Sequence, residues 1–284
     1  MSGTVTGVDP TASLWCRASI DADTGRPTVT RLVEGRISSG NGGELTREGR
    51  VVVAVPDNDV QIKRLHLTGP EEKTRRNRLL YELVQSVLED EQSFVYDVHP
   101  AGCEGNWFGL TFRRRALEQL TLDCGLAGAE ITPPDFLPRS IALGRAYLTF
   151  CRREEGDLVC LADLAPGAVS ICFVRGGKIV DLAALTLGKS DYDSPAGREQ
   201  LAVDLKTIVS FRLSSLMDRG VSTPLSTLIM SGRGVSGELR HTLHTYFPVG
   251  VKSPVLNSGY LADSIREDSV APERFLVALG LTVN

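Results

Sequence analysis

Two stretches of this chain share an arrangement of strands, turns and one aspartate, and this arrangement decides the fold. Residues 6–16 are TGVDPTASLWC, with Asp9 at the turn, and residues 159–174 are VCLADLAPGAVSICFV, with Asp163 just before the turn. A glycine turn follows each stretch, at Gly25 and at 176–177, and leads into another β-rich run. The pattern predicts two β-hairpins, each extended by a third strand. Because about half of the chain separates the two copies, the repeat predicts two lobes of related build.

The segment between the two copies has the pattern of a compact α+β unit. Residues 51–55 are VVVAV, which is typical of a buried strand. Apolar residues from Leu79 to Leu88 recur at helical spacing and predict an amphipathic helix within 71–91. Two strand patterns and a helix at 115–124 follow, and together they predict an inserted subdomain.

The second half of the chain continues with helices and one more strand. Residues 197–217 carry apolar side chains on most faces, which predicts a long and mostly buried helix. A strand at 225–231 runs into a Gly-Arg-Gly turn at 232–234, and a helix is predicted at 237–246. Residues 272–281 predict a closing helix that begins with proline and has a glycine near its end.

Charge and hydropathy argue against a nucleic-acid partner and against a membrane-spanning segment. The 284 residues include 31 Lys and Arg against 35 Asp and Glu, a net charge of −4, so no basic excess is available to neutralise a nucleic-acid backbone. No apolar run reaches the roughly 20 residues that span a bilayer. The first residues lack the basic flank and apolar stretch of a secretory signal. We therefore expect a cytoplasmic protein.

The order of these motifs resembles the PilM family of type IV pilus assembly proteins, which is related to FtsA within the actin-like ATPase superfamily. The resemblance rests on the run from Val51 to Asp57, the helix over 79–88, the two Asp hairpins, the Ser231–Gly234 turn and the closing 277–281 segment. It implies an α/β, two-lobed actin-like ATPase fold with an inserted α+β subdomain in the first lobe. The implied limits are 1–67 for the first lobe, 68–130 for the insertion, 131–157 for a linking helix of the first lobe and 158–284 for the second lobe.

The resemblance also implies a site for ATP and Mg²⁺ between the two hairpins. In that family the hairpin backbones cradle phosphates, and Asp9 and Asp163 fall on the two carboxylate positions that help to hold the metal. Phosphates need converging backbone donors and a divalent cation, and Gly or Ser turns permit the close approach. The cofactor-binding positions carried over are Asp9, Thr11, Ser13, Asp163, Gly167, Ser170, Lys206, Gly232 and Gly234.

Several residues depart from the family's pattern, and each departure disfavours nucleotide binding. Pro10 has no N–H, Thr11 stands where the family usually has glycine, and Ala165 and Pro166 occupy the second turn. Arg233 has replaced a glycine on the nucleoside side. Each change removes a donor or adds a side chain, so we expect ATP with Mg²⁺ to bind weakly or not at all, and we expect no catalytic residue. The alternative for both aspartates is a side chain that hydrogen-bonds its own turn.

The resemblance implies a non-catalytic scaffold at the cytoplasmic face of the inner membrane. Its partner would be a PilN-like membrane protein, whose N-terminal peptide lies in a groove between the first lobe and the insertion. Here that groove is expected to involve the segment from Leu65 through the Leu79 to Leu88 helix. Two alternatives stay open: an active actin-like ATPase or sugar-kinase-like enzyme, and the cytoplasmic domain of a type II secretion platform protein.

Overall fold

The described part of the protein contains three β-sheets and the helices that cover them. The structure, a computed structural model, describes residues 3–21, 25–35, 49–67, 72–87, 90–102, 105–126, 135–152, 158–188, 192–267 and 271–283. The strands are β1 Gly3–Asp9, β2 Leu14–Ile20, β3 Pro27–Glu34, β4 Arg50–Val55, β5 Val60–His66, β6 Phe94–Pro100, β7 Asn106–Arg113, β8 Phe136–Pro138, β9 Leu158–Ala165, β10 Ala168–Arg175, β11 Lys178–Thr186, β12 Leu225–Ser231 and β13 Gly250–Lys252. The helices are α1 Glu72–Gln85, α2 Arg114–Asp123, α3 Arg139–Phe150, α4 Pro195–Asp218, α5 Gly237–Tyr246, α6 Asp263–Glu267 and α7 Leu276–Gly280.

The two five-stranded sheets have the same topology. The first sheet has the order β3-β2-β1-β4-β8 and the second has the order β11-β10-β9-β12-β13. In each sheet the first three strands are antiparallel neighbours and the last two join in parallel. The repeat in the sequence is therefore a structural repeat, and the predicted two-lobed α/β architecture is confirmed.

Helices α3 and α7 lie between the two sheets, and small residues let the layers approach. A Cβ added to Gly280 would overlap the carbonyl oxygen of Ala142 in α3, and one added to Gly7 in β1 would overlap the carbonyl oxygen of Ala278. On the other side of α3, a Cβ on Gly144 would lie 2.6 Å from the Sγ atom of Cys172 in β10. The layers thus run from the first sheet through α7 and α3 to the second sheet, and one buried apolar cluster includes residues from all of them.

The third sheet has the order β5-β7-β6 and is antiparallel throughout. Helix α1 packs on it through Leu79 and Leu83, which are fully buried against Leu65 and the backbone of Gly109. Because β5 pairs with β7, residues 60–66 belong to this sheet, whereas the predicted insertion began at 68. The predicted domain limits themselves stay a prediction.

Two helix predictions differ from the structure in their ends. Helix α1 ends at Gln85, and Leu88, which the periodicity had included, lies outside the described residues. The closing segment is a 3₁₀ turn at Pro272–Phe275 followed by α7, because the N–H of Arg274 donates to the carbonyl of Ala271 three residues earlier. No helix in the described ranges combines the length and the apolar character needed to cross a bilayer.

We predict that Gly280→Ala destabilises the protein. The new methyl group would displace backbone at the α3–α7 contact, and overpacking of a core costs about 1–3 kcal/mol or more. Gly237→Ala is the matched control, because a Cβ there meets nothing within 4 Å. Urea unfolding should show a lower free energy of unfolding for Gly280→Ala and an unchanged or slightly higher one for Gly237→Ala. Equal stability of the two variants would contradict the close helix contact.

Candidate functional site

The two hairpin aspartates face each other across a buried arginine. Asp9 ends β1, Asp163 lies near the end of β9, and both side chains are almost completely buried, with exposed fractions of 1% and 2%. The Nη2 atom of Arg139 donates to Asp9 Oδ2 at 3.0 Å and to Asp163 Oδ1 at 2.7 Å. One guanidinium group therefore joins the first sheet to the second.

Strand β8 places Arg139 between the two aspartates. This short strand pairs in parallel with β4 and leads at once into α3, whose first residue is Arg139. A cation in the first turn opposes the helix dipole, so the carboxylates of Asp9 and Asp163 are needed to hold it there. Within the described part of the chain, the Nε and Nη1 atoms of Arg139 are buried without a hydrogen-bond partner.

A third carboxylate, Asp57, completes the cluster. Asp57 follows β4, and its Oδ1 atom accepts hydrogen bonds from the backbone N–H of Ser140 at 3.1 Å and from the hydroxyl of Ser140 at 2.6 Å. It thereby satisfies a donor at the start of α3 and places a negative charge at the positive end of the helix dipole. Two carboxylates thus bond the guanidinium group, and Asp57 acts on it through its negative charge.

Burial and charge shift the pKa values of this cluster. Burial raises the pKa of Asp163, although the charge of Arg139 acts in the opposite direction. Burial also raises the pKa of Asp57, against hydrogen bonds from Ser140 and Ser170. For Arg139, burial alone would lower the pKa, but the carboxylates outweigh it and raise the pKa above its ordinary value. The guanidinium is therefore charged at any physiological pH.

Each hairpin aspartate also has a second partner. Asp9 Oδ1 accepts from the backbone N–H of Ala12 at 3.4 Å, so this side chain bonds its own turn. Asp163 Oδ2 accepts from the hydroxyl of Ser231 at 2.7 Å, at the end of β12. The oxygens that could ligate a metal are thus already engaged, and a magnesium ion would have to displace Arg139. This donor set does not fit a magnesium nucleotide as it stands.

Arg233 reaches from the turn after β12 to the first hairpin. Its Nη1 atom donates to the carbonyl oxygen of Ala12 at 3.1 Å, and its Nη2 atom forms an ion pair with Glu34 of β3. Gly232 has a φ of +100°, and a Cβ there would overlap the carbonyl oxygen of Leu164. A Cβ on Gly234 would meet the Leu164 side chain at 2.7 Å. The turn after β12 therefore packs directly on the second hairpin.

The other residues carried over from the resemblance are placed as follows. Ser13 has a φ of 54°, and its N–H closes the first turn by donating to Pro10 at 3.2 Å. Thr11 lies in the same turn, half-buried, and Gly167, with a φ of +79°, forms the second turn. Ser170 is buried opposite Asp163 in the β9–β10 register, and Lys206 is exposed on α4. Their roles toward a nucleotide stay predictions.

Arg139, which is central to the site, is not among the residues predicted from the sequence. Its partners lie 130 and 24 residues away, so no local pattern joins them. The available signal was an arginine directly after a proline at a helix start, where a cation is unfavourable unless carboxylates lie nearby.

Comparisons with known proteins support the architecture. No protein-family model matches the chain, and no curated protein sequence matches it. Among solved structures, a chain of the PilM-PilN type IV pilus biogenesis complex is similar at a TM-score of 0.63 and 17% identity, covering 98% of this chain and 97% of that one. A Bacteroides thetaiotaomicron protein of unknown function with an actin-like ATPase fold is similar at a TM-score of 0.51 and 10% identity, covering 93% of this chain and 94% of that one. The chain has the actin-like ATPase fold.

We predict that Arg139→Met strongly destabilises the protein, because it leaves buried carboxylates without a counter-charge. Removing one partner of a buried ion pair costs about 3–5 kcal/mol. Arg76→Met is the control, because its ion pair with Asp97 is partly exposed and contributes at most about 1 kcal/mol. Urea unfolding at neutral pH measures both.

The pH dependence of the Arg139→Met defect provides a second test. Because the pKa values of Asp163 and Asp57 are raised, the folded protein holds protons on these carboxyls more tightly than the unfolded chain does, and their contribution to stability falls as pH rises from about 4, the ordinary carboxyl pKa, towards the raised values. Loss of the guanidinium strengthens this effect. The difference between Arg139→Met and the original chain should therefore be smaller at pH 5 than at pH 8, and a constant difference would count against an electrostatic origin.

Proposed function

We propose that this chain is a non-catalytic scaffold of a type IV pilus or related assembly platform, similar to PilM. The observation that carries the proposal is Arg139 between Asp9 and Asp163. In the family that the sequence resembles, the two carboxylate positions help to hold a divalent cation, and here the Arg139 side chain neutralises them instead. The two sheets are thus held together without a ligand.

We propose further that the nucleotide site is degenerate. Phosphate binding would need free backbone donors in the hairpins, but Pro10 has none and the N–H of Ala12 is bonded to Asp9. Arg233 lies in the turn that would face the nucleoside, and Leu164 of β9 packs against the two glycines of that turn. These contacts favour a scaffold over the active ATPase or kinase that the sequence analysis left open.

The proposed partner is the N-terminal peptide of a PilN-like membrane protein, which would recruit the chain to the cytoplasmic face of the inner membrane. Support comes from the overall likeness to a chain of the PilM-PilN complex and from a cavity of about 210 Å³ beside the third sheet. The cavity is lined by Asn58, Asp59, Val60, Gln61, Phe94, Thr111, Arg113 and Ala116. Its lining is mainly polar and includes one acidic and one basic side chain, Asp59 and Arg113, which could pair with charged or polar groups of a short peptide.

The groove expected along Leu65 and the Leu79 to Leu88 helix is less suitable. Leu65, Leu79 and Leu83 are fully engaged in packing α1 on the third sheet, so their side chains are not available to a peptide. We therefore propose the cavity at the start of β5 as the docking position, at the junction of the first lobe and the inserted subdomain.

The first test of this function is nucleotide binding. Isothermal titration of the purified chain with ATP and Mg²⁺ should show no saturable binding at millimolar nucleotide, because Arg139 and Arg233 hold the positions that the metal and nucleoside would take. ATP with EDTA serves as the control for effects of nucleotide charge alone. Tight binding that requires Mg²⁺ and is lost in Asp163→Asn would overturn the degenerate site.

The second test is peptide binding. A labelled peptide of the first 20 or so residues of a PilN-like protein from the same organism should bind the chain in fluorescence anisotropy. Ala116→Arg fills the cavity and should weaken binding about tenfold or more, a loss near 1.4 kcal/mol. Glu118→Arg adds the same side chain to an exposed position of α2 and should leave binding nearly unchanged.

The results separate two claims. Binding that resists Ala116→Arg would remove the cavity as the docking position but keep the scaffold. Failure of the peptide to bind a folded protein at all would remove the PilN-like partner.

A further inference from the structure

A second cluster of charges lies where the third sheet meets the second sheet, away from the hairpins. Asp181 of β11 is almost fully buried, and two arginines share its carboxylate. Arg64 of β5 pairs with Asp181 Oδ1 at 2.6 Å, and Arg219, at the end of α4, pairs with Asp181 Oδ2 at 3.0 Å. Arg64 also donates to the carbonyl oxygen of Val180. Both oxygens of Asp181 are thus occupied.

A third arginine, Arg212 of α4, adds a further positive charge, and the one described carboxylate of this cluster, Asp181, already pairs with Arg64 and Arg219. The charges of Arg219 and Arg212 both act on Arg64, and burial together with this repulsion lowers the pKa of Arg64 against the attraction of Asp181. The Nε atom of Arg212 is buried, and no described residue accepts its hydrogen bond. Arg212 lies seven residues before Arg219, so the two side chains leave α4 on the same face. Counted together, Arg64, Arg212 and Arg219 carry two more positive charges than the carboxylate of Asp181 balances.

We propose that Arg64, Arg212 and Arg219 form a binding site for a phosphate dianion, either free phosphate or a phosphomonoester. The excess of two positive charges matches such a dianion, and guanidinium groups present paired N–H donors that fit phosphate oxygens. The side chains of Arg64 and Arg219 are about one third exposed, at 36% and 31%, so an anion can reach the cluster from solvent. The site is independent of the proposed peptide docking.

A purely structural role explains only part of this arrangement. Arg64 and Arg219 suffice to saturate Asp181 and to connect β5, β11 and α4. Arg212 makes the cluster less stable in the absence of an anion, because an unpaired buried donor and a like-charge contact are both unfavourable. If Arg212 only holds β5, β11 and α4 together, Arg212→Gln should lower the stability of the protein. If Arg212 serves to bind an anion, Arg212→Gln should leave the stability of the ligand-free protein equal or raise it.

The test compares unfolding temperatures in sodium phosphate and in sodium chloride at equal ionic strength. Phosphate should raise the unfolding temperature of the original chain by roughly 2 °C or more over chloride at saturating concentration. Arg212→Gln should lose this response while staying folded, and titration calorimetry should show about tenfold weaker phosphate binding. Arg198→Gln, at the other end of α4, is the charge-matched control and should respond like the original chain.

Vesicles distinguish the two sources of the phosphate group. Phosphatidylcholine vesicles containing 20 mol% phosphatidic acid should bind the chain through Arg212 if the ligand is a lipid headgroup, and pure phosphatidylcholine vesicles are the control. Phosphate binding without vesicle binding identifies the free anion. The more exposed Arg219→Gln serves as a second variant if Arg212→Gln fails to fold. An equal response to phosphate and chloride, or a response that both variants keep, would overturn the proposal.

Discussion

The buried bridge from Asp9 through Arg139 to Asp163 is the constraint on which the rest of the structure depends. It joins the two copies of the repeat at the points where their hairpins converge. Ions in such a place have lost their hydration, and only close, well-directed hydrogen bonds compensate for this loss. Because a single Nη2 atom donates to both carboxylates, neither sheet can move away from the other without leaving a buried charge unpaired.

Other contacts hold the same relative position of the sheets. Helices α3 and α7 touch through backbone at Gly280 and Ala142, so this layer has no room for side chains that could slide. Arg233 crosses from the turn after β12 to the first hairpin and to β3, and Arg64 connects the third sheet to β11. The first and second sheets and the third sheet are thus connected by ion pairs as well as by packed backbone.

The two-lobed architecture could be predicted from the sequence because each lobe begins with the same local pattern. Strand, Asp turn and strand occur twice in consecutive residues, and each copy could be recognised without knowing its contacts. Arg139 could not be recognised in this way, since its role arises from partners far apart in the chain. The end of α1 and the 3₁₀ turn before α7 also escaped prediction, because the length of a helix depends on tertiary packing as well as on periodicity.

A guanidinium held by the protein differs from a bound cation in how it stabilises the fold. A ligand that binds the folded state stabilises it in proportion to the logarithm of its concentration, so a protein that depends on nucleotide and metal loosens when they are scarce. Arg139 is covalently part of the chain, and its effect does not change with the supply of any ligand. The buried carboxylates of the two hairpins need a positive charge beside them, and Arg139 supplies it without any ligand. Such a protein can present a constant surface to a partner, which is the property that a scaffold needs and that a nucleotide-driven switch must give up.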